Sequence, residues 1–218
     1  MKNKLFTGLL GFFIAILVIT FSIGLPIYCR PFYYWQIDVL DIEEYSGADR
    51  ETIIEAYDEL LDFLTIPGNE FSTGDFLYSE EGKSHFVDCK VLFDLNLYAF
   101  IVASLGTALL LILKKLGVFT LWRPFGMSIV FSSGAYTLGG FALVGGLVAL
   151  DFDTAFTIFH KIFFPGKSNW MFSWYDDQII RILPQDFFMN CAILIFASII
   201  ILSVGMILIG IKGRKTVK

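Results

Sequence analysis

The sequence predicts an all-α membrane protein: a four-transmembrane-helix bundle with an extracytoplasmic domain built from two outer segments. Three observations lead to this fold class. The 218 residues are 56% hydrophobic, with a mean hydropathy of +0.69, which is far above a soluble domain. Four uncharged windows reach the roughly 20 residues that a membrane-spanning helix needs. Basic and acidic residues alternate in blocks between these windows.

The four windows set the predicted boundaries. The first helix occupies residues 1–29, and its window Leu5–Cys29 is too long for the apolar region of a signal peptide and lacks an A-x-A-like cleavage site. We therefore expect it to remain as a transmembrane helix. The other predicted segments are the helices 95–113, 124–150 and 187–211, the outer segments 30–94 and 151–186, a basic loop 114–123 and a tail 212–218.

The distribution of charge predicts the orientation. Nine basic residues and no acidic residue lie at the two termini and in the loop 114–123, whereas all 21 acidic residues lie in the two outer segments. Short basic loops stay in the cytoplasm. We therefore predict a multi-pass protein of the plasma membrane with both termini cytoplasmic and both histidines, His85 and His160, outside.

The first outer segment begins with "RPFYYWQI", which is typical of an interfacial aromatic belt. The stretch "DRETIIEAYDELLDFLT" then predicts an amphipathic helix with Asp49 as its N-cap. This helix either packs over the rest of the outer domain or forms a lid over a groove at membrane level. In the following "SHFVDCK", His85 and Asp88 share a helix face, so Asp88 is expected to fix the tautomer of His85.

The second outer segment surrounds His160 with aromatic residues in "FHKIFFPGKSNWMFSW". Ser173 and Asp176 fit a capping pattern, which predicts a short helix in the membrane surface that ends at Pro184. The preceding span contains Gly139, Gly140, Gly145 and Gly146. Small residues favour close helix packing, and glycine near the outer end would also leave room for an acyl chain.

Several function classes fit the sequence poorly. It contains no H-x-x-x-H or H-E-x-x-H spacing for a metal, no G-x-S-x-G for a serine hydrolase, and no ionisable residue in the spans for a proton-coupled carrier. Acid–base catalysis by histidine remains, beside the simpler interpretation that both histidines are interfacial polar residues. Whether Cys29 and Cys89 form a disulfide stays an open question. Cys191 is expected to be a packing residue.

The stretches "SHFVDCK" (84–90) and "FHKIFFPGKSNWMFSWYDDQIIRILPQDFF" (159–188) resemble the two hallmark regions of the lipoprotein intramolecular transacylases, called Lit, of low-GC Gram-positive bacteria. The upstream "AYDELLDFL" (56–64) and the four-span layout are also similar. The first stretch departs from the usual "HM-DVK" pattern at Phe86 and Cys89. His85, Asp88 and Lys90 match it.

The resemblance implies an O-to-N acyltransferase. Such an enzyme moves the sn-2 acyl chain of a diacylglyceryl-cysteine lipoprotein onto the α-amino group of the same cysteine and gives a lyso-form lipoprotein. The implied catalytic residues are His85 and His160. We favour His85 as general base, because Asp88 can orient it, and His160 as partner acid or second base; relay through a glycerol hydroxyl or an acyl-imidazole stays open.

Further candidates surround these two histidines. Oxyanion donors are expected among the side chains and backbone amides near them: Lys90, Trp170, Arg181 and backbone amides near Pro165-Gly166. Acyl-pocket candidates are Phe163, Phe164, Gly145 and Gly146. The substrate supplies its own amine, so we expect no cofactor, metal or nucleic acid, and the partners are the lipoprotein and membrane lipid. The alternatives are an outer-leaflet lipid acyl hydrolase and a non-enzymatic subunit that binds a partner through its acidic outer domain.

Overall fold

The computed structural model describes residues 1–215, with the side chains of 147 and 213–215 left out, so the last three residues of the predicted tail 212–218 lie outside the described residues. Within the described range the chain is helical and has no strand. Eight α-helices follow one another: α1 Lys2–Tyr28, α2 Arg30–Val39, α3 Ile42–Ser46, α4 Arg50–Thr65, α5 Glu80–Lys115, α6 Ile129–Leu150, α7 Phe152–Phe163 and α8 Gln185–Lys215. Two 3₁₀ turns, Pro124–Gly126 and Gln178–Arg181, complete the described elements.

Four of these helices are long and apolar enough to cross a membrane. They are α1, α5, α6 and the part of α8 from Gln185 to Lys212. The four predicted spans therefore correspond to four helices, although α6 begins at Ile129 rather than at residue 124. The residues before it form the 3₁₀ turn, in which Phe125 and Gly126 have positive φ angles of 51° and 72°, so a right-handed α-helix cannot run through them.

The chain divides into two compact units. The first contains residues 1–24, 96–147 and 194–218, and the second contains residues 25–95 and 148–193. The boundaries fall inside α1, α5, α6 and α8. The apolar parts of the spanning helices thus make up the first unit, and both outer segments predicted from the sequence fall in the second.

Small residues bring the helices of the first unit close together. A methyl group at Gly106 of α5 would lie 2.5 Å from the Phe13 ring of α1. One at Gly134 of α6 would lie 2.7 Å from the carbonyl oxygen of Ser203 in α8. Such close approach is how transmembrane helices gain packing energy without a hydrophobic driving force.

The predicted packing role of the α6 glycines is only partly correct. Gly145 packs under the Phe196 ring, and an added methyl group there would come within 3.0 Å of it. Gly139, Gly140 and Gly146 have open space where a side chain would project. Composition alone therefore indicated the right mechanism of packing and mostly the wrong glycines.

The second unit has its own apolar core, and Tyr33 of α2 lies at its centre. Tyr33 is fully buried, stacks on Tyr57 of α4 at a centroid distance of 3.6 Å, and donates its hydroxyl to the carbonyl of Ile182 at 2.8 Å. Arg30 pairs with Asp58 at 3.1 Å and with Asp62. The expected interfacial belt around "RPFYYWQI" is thus wrong for Tyr33, which packs inside the protein.

Helix α4 forms as the sequence predicts. Asp49 caps it by accepting a hydrogen bond from the Thr52 N–H at 2.9 Å. The apolar positions Ile53, Tyr57, Leu60, Leu61 and Leu64 are buried in the core of the second unit. Helix α4 therefore packs against the rest of the outer domain and does not form a lid over a groove.

Helices α5 and α7 differ from the prediction. Helix α5 has 36 residues and runs without a break from Glu80, through His85, to Lys115. Helix α7 follows α6 and carries His160 where no helix was predicted. The short helix expected after Ser173 is only the 3₁₀ turn Gln178–Arg181, because the non-helical backbone of Asp177, with φ −114° and ψ 65°, interrupts the turn that begins at Ser173.

Candidate active site

The two histidines lie side by side in the second unit. Their ring centroids are 5.6 Å apart and the ring planes are inclined by 34°. His85 is 5% exposed and His160 is 6% exposed. One ring comes from α5 and the other from α7, so only the folded chain brings together the two titratable groups that the sequence singles out.

The backbone of α7 fixes the tautomer of His160. Asp151 caps this helix by accepting hydrogen bonds from the N–H and the hydroxyl of Thr154, at 3.0 and 2.6 Å. One turn before the histidine, the carbonyl oxygen of Phe156 lies 2.7 Å from Nδ1 of His160. A carbonyl only accepts, so Nδ1 carries the proton and Nε2 of the neutral ring keeps its lone pair.

Burial keeps the His160 ring neutral. Trp170 stacks on it at a centroid distance of 4.6 Å with an interplanar angle of 27°, and Phe156 contacts it at 4.3 Å. Burial lowers the pKa of His160 below its ordinary 6.5, and the hydrogen bond to the Phe156 carbonyl acts in the opposite direction without cancelling it. A proton-accepting nitrogen is thus present at neutral pH.

The surroundings of His85 are more apolar. Phe164 and Phe172 meet its ring edge to face, at centroid distances of 4.9 and 5.5 Å. Nε2 lies 3.4 Å from Sγ of Cys89, one helical turn further along α5. Nδ1 is buried and has no hydrogen-bond partner. This ring therefore presents one nitrogen that is free for a substrate.

The prediction that Asp88 orients His85 is wrong. The Asp88 carboxylate accepts hydrogen bonds from Nζ of Lys167 at 2.6 Å and from Nδ2 of Asn169 at 3.0 Å. Asn169 also approaches the Ser84 hydroxyl at 3.4 Å. Asp88 instead fastens the loop 164–170 to α5, because that loop offers a cation and an amide to the carboxylate while the His85 ring faces the aromatic cluster.

Two of the candidate oxyanion donors are engaged within their own segment. The single N–H of the Trp170 indole donates to the carbonyl of Lys167 at 3.1 Å, so it is not a free donor. Arg181 donates from Nε and Nη2 to the carbonyl of Trp174, at 3.2 and 2.9 Å, and lies over the Trp174 ring. These contacts shape the loop around the histidines.

Lys90 serves the end of α4. Its ammonium donates to the carbonyls of Phe63 and Ile66 and lies 5.0 Å from the centre of the Phe63 ring. A lysine at a helix C-terminus satisfies carbonyl groups that have no intrahelical partner. In this structure Lys90 therefore ties α4 to α5 and does not contact either histidine.

Asp177 positions the start of α5. It is 4% exposed and accepts hydrogen bonds from the N–H and hydroxyl of Ser79, at 2.8 and 2.7 Å, and from the N–H of Ser173 at 3.1 Å. The Ser79 hydroxyl in turn accepts from the Gly82 N–H at 2.9 Å. One carboxylate thus links the helix that carries His85 to the segment that follows His160.

Of the four acyl-pocket candidates, only Phe164 contacts the histidines. It is 3% exposed, and its centroid lies 5.7 Å from that of His160 in addition to its contact with His85. Phe163 is 49% exposed. Gly145 and Gly146 belong to the first unit rather than to the unit that contains the histidines.

Sequence reasoning missed several residues of the site. Phe172 and Cys89 contact His85, and Asn169 contacts Asp88 on the same helix. Cys89 follows His85 by one helical turn, so a helix prediction that began before Ser84 would have indicated their contact. No local pattern predicts the contacts of Phe172 and Asn169, because these residues lie more than 80 positions from their α5 partners.

The cysteines and acidic residues form no further centre in the described part of the chain. Cys29, Cys89 and Cys191 are free thiols, so the structure contains no Cys29–Cys89 disulfide. Within residues 1–215, no group of three or more His, Cys, Asp or Glu side chains is arranged to hold a metal ion.

Comparison with known proteins gives one consistent result. The sequence profile of the family described as lipoprotein intramolecular transacylase Lit matches residues 8–188. The fold is similar to that of the membrane-integral lipoprotein intramolecular transacylase Lit from Bacillus cereus, with a TM-score of 0.86 and 22% identity over 99% of this chain and 98% of the other.

Two variants of the Bacillus cereus protein have a similar fold. In one a histidine is replaced by arginine, with a TM-score of 0.81 and 22% identity over 100% of this chain and 95% of the other. In the other a histidine is replaced by alanine, with a TM-score of 0.80 and 22% identity over 99% and 96%. No curated protein sequence matches the chain.

Proposed function

The chain belongs to the lipoprotein intramolecular transacylase (Lit) family, and from that premise we propose the reaction it catalyses. It moves the sn-2 acyl chain of a diacylglyceryl-cysteine lipoprotein onto the α-amino group of the same cysteine and leaves a lyso-form lipoprotein. The observation that carries this proposal is the pair of buried histidines, with ring centroids 5.6 Å apart inside an aromatic enclosure.

The reaction is an isomerisation that needs no co-reactant. The neutral α-amine attacks the carbonyl carbon of the sn-2 ester, a C–N bond forms, and the acyl C–O bond breaks. One proton passes from the amine nitrogen to the released glycerol oxygen. Ester and amine belong to one molecule, so correct positioning contributes on the order of 7 kcal/mol to lowering the barrier.

The surroundings of each ring support a division of roles. His160 holds its lone pair on Nε2, because Nδ1 donates to the Phe156 carbonyl, and it acts as the general base that takes the amine proton. Nδ1 of His85 has no partner among the described residues. This ring acts as the partner that donates a hydrogen bond to the oxyanion and the leaving oxygen. This assignment reverses the one we favour from sequence, since Asp88 does not orient His85.

The aromatic enclosure favours transfer over hydrolysis. Phe164, Phe172 and Trp170 all contact one or both rings. A site lined in this way excludes water, so the amine of the substrate meets little competition for the ester carbon. This distinguishes the proposed activity from the alternative of an acyl hydrolase.

The site is proposed to act at the outer surface of the plasma membrane. The charge asymmetry supports cytoplasmic termini, which leaves residues 30–94 and 151–186 outside. A diacylglyceryl anchor holds its ester groups at the membrane interface, where the polar ends of the spanning helices lie.

Mass spectrometry of the N-terminal peptide of a diacylated lipoprotein tests the proposal. The lipoprotein is incubated in lipid vesicles with the purified protein, and the peptide is fragmented. We expect one acyl chain to move to nitrogen with no change in total mass. His85→Phe and His160→Phe keep the aromatic packing and remove the ring nitrogens, so each is expected to lower the rate at least about 100-fold.

Tyr175→Ala is a suitable control, because Tyr175 is 80% exposed and lies in the same outer segment as His160. Its rate should match that of the unmodified protein. An acyl chain that stays on oxygen would sink the transacylase proposal. Release of free fatty acid would favour the hydrolase. A lipoprotein that stays unaltered in cells with the unmodified protein, as it does in cells with either histidine variant, would favour the binding subunit.

A further inference from the structure

The contact between Cys89 and His85 has no part in the reaction as described so far. Both residues lie on α5, one turn apart, with Sγ of Cys89 3.4 Å from Nε2 of His85. The opposite nitrogen, Nδ1, is buried without a partner. The Asp88 carboxylate is engaged by Lys167 and Asn169. The thiol is therefore the hydrogen-bonding group that the structure gives to this ring.

The direction of this hydrogen bond follows from the strengths of the two groups. A thiol is a weak donor and thioether or thiol sulfur is a weak acceptor, whereas a neutral imidazole nitrogen is a good acceptor. The arrangement in which the Cys89 S–H donates to Nε2 uses the better acceptor. The ring proton of His85 is then on Nδ1, the buried nitrogen that has no partner among the described residues.

His160 has the same Nδ1–H tautomer, but it uses the other nitrogen for its contact within the protein. Its Nδ1–H donates to the Phe156 carbonyl at 2.7 Å, so its lone pair is on Nε2. If the free nitrogens of both rings carried a lone pair, the pair would offer two acceptors. If both carried a proton, it would offer two donors. Because each ring uses a different nitrogen within the protein, the pair offers one proton acceptor, Nε2 of His160, and one hydrogen-bond donor, Nδ1–H of His85. The donor stabilises the oxyanion, and His160 passes the proton that it takes from the amine to the leaving oxygen.

We propose that Cys89 is a positioning residue that holds neutral His85 in its Nδ1–H tautomer and so makes this ring the hydrogen-bond donor of the pair. Cys89 does not touch the reacting atoms and acts only through His85. The catalytic part of this inference rests on the proposed transacylase function. The position of the ring proton does not, and it can be measured by itself.

Nitrogen NMR of the full-length protein gives that measurement. The chain has two histidines, so selective ¹⁵N labelling of histidine yields four ring signals, and His160→Phe assigns those of His85. Spectra are recorded at about pH 8, above the ordinary histidine pKa of about 6.5. We expect Nδ1 of His85 to be protonated and Nε2 to be the unprotonated nitrogen.

Substitutions of Cys89 separate its hydrogen bond from its bulk. Cys89→Ser keeps a donor and should keep both the tautomer and the rate. Cys89→Val fills similar space without a donor, so the ring proton should redistribute between the two nitrogens. The kcat of acyl transfer should then fall between about 2- and 10-fold at unchanged KM, because only the fraction of molecules with the competent tautomer reacts.

Controls and contrary outcomes are well defined. Cys191→Val removes another thiol of the same unit and should change neither spectrum nor rate; Cys89→Ala replaces the valine variant if that variant fails to fold. A proton on Nε2 of His85 in the unmodified protein would overturn the proposal. So would a Cys89→Val variant with an unchanged spectrum or an unchanged kcat. Absence of transfer by the unmodified protein would instead overturn the proposed function, while the spectrum would still locate the proton.

Discussion

At the scale of single residues, the two histidines differ more than their sequence surroundings indicate. His160 is bound by its own helix through the Phe156 carbonyl and is stacked against Trp170. His85 has only a thiol and aromatic edges around it. Two imidazolium ions at this separation would repel each other. In the proposed reaction the pair therefore works as a neutral proton acceptor and a neutral hydrogen-bond donor.

The lowered pKa of His160 predicts the pH dependence of transfer. The reactive form of this ring is the neutral one, so activity is lost as the pH falls through a pKa that lies below 6.5. The substrate amine titrates at about 7.7–8. A plot of log kcat/KM against pH should thus have a slope of about one below that value and should steepen to about two only below pH 6.5.

Two tryptophan variants test the cause of this shift. Trp170→Ala exposes the His160 ring to water, so the steepening should move up toward pH 6.5. Trp174→Ala removes a tryptophan that contacts Arg181 and Tyr45, and its profile should match that of the unmodified protein. Steepening at or above pH 6.5 in the unmodified protein would contradict the assignment of His160 as a buried base.

The sequence could identify the two rings of this site but few of their partners. His85 and His160 stand out because no other histidine exists in the chain. Asp88 was assigned to His85 on spacing alone, yet its partners Lys167 and Asn169 come from a loop about 80 residues later. Such pairings depend on tertiary structure, which helical spacing within one segment does not report.

At the scale of helices, α7 carries the proposed base, His160, and begins at a local cap. The stretch "DFDT" begins α7 and "DRET" begins α4, and in both the first aspartate accepts from the N–H of a threonine three positions later, at 3.0 and 2.9 Å. The two helices are thus started by the same contact. Only α7 carries a proposed catalytic residue.

This match gives a paired test. Asp151→Ala and Asp49→Ala should each lower the unfolding temperature by a small amount, because each removes the hydrogen bond to the backbone that caps its helix, and Asp151→Ala also removes a bond to the Thr154 hydroxyl. Asp151→Ala should also lower the transfer rate several-fold, since fraying of α7 loosens the Phe156 carbonyl that fixes His160. Unfolding in detergent and transfer in vesicles are the measurements. Equal transfer rates for the two variants would contradict this role of α7.

Helix α4 was predicted from its sequence and α7 was not, although both carry the same capping pattern. In α4 the acidic residues between apolar positions make the helical period plain. In α7 four of the twelve residues are phenylalanine and no acidic residue follows Asp153, so the polar side of the helical period is not plain in "FDTAFTIFHKIF". The spacing of Phe152, Phe156, Phe159 and Phe163 does follow a helical period, and with the "DFDT" cap it would have indicated the helix.

At the scale of the whole molecule, the predicted orientation can be tested with single thiols. Cys29 is exposed at the end of α1, and Lys115 is the last residue of α5, on the predicted cytoplasmic side. A membrane-impermeant maleimide should label Cys29 in intact cells. A Lys115→Cys variant that also carries Cys29→Ser should be labelled only after the membrane is opened. Labelling of the second variant in intact cells would reverse the orientation.

Helix α5 is continuous through His85 and into its apolar stretch. This continuity fixes the distance between His85 and the start of the apolar stretch. Ten residues separate His85 from Leu95, where the uncharged stretch begins, which amounts to about 15 Å of helix. A loop could adjust that distance, whereas a helix cannot. In the proposed orientation, His85 therefore stands at a constant height above the lipid hydrocarbon. Bilayer thickness then becomes a determinant of the proposed transfer rate, alongside the lipoprotein itself.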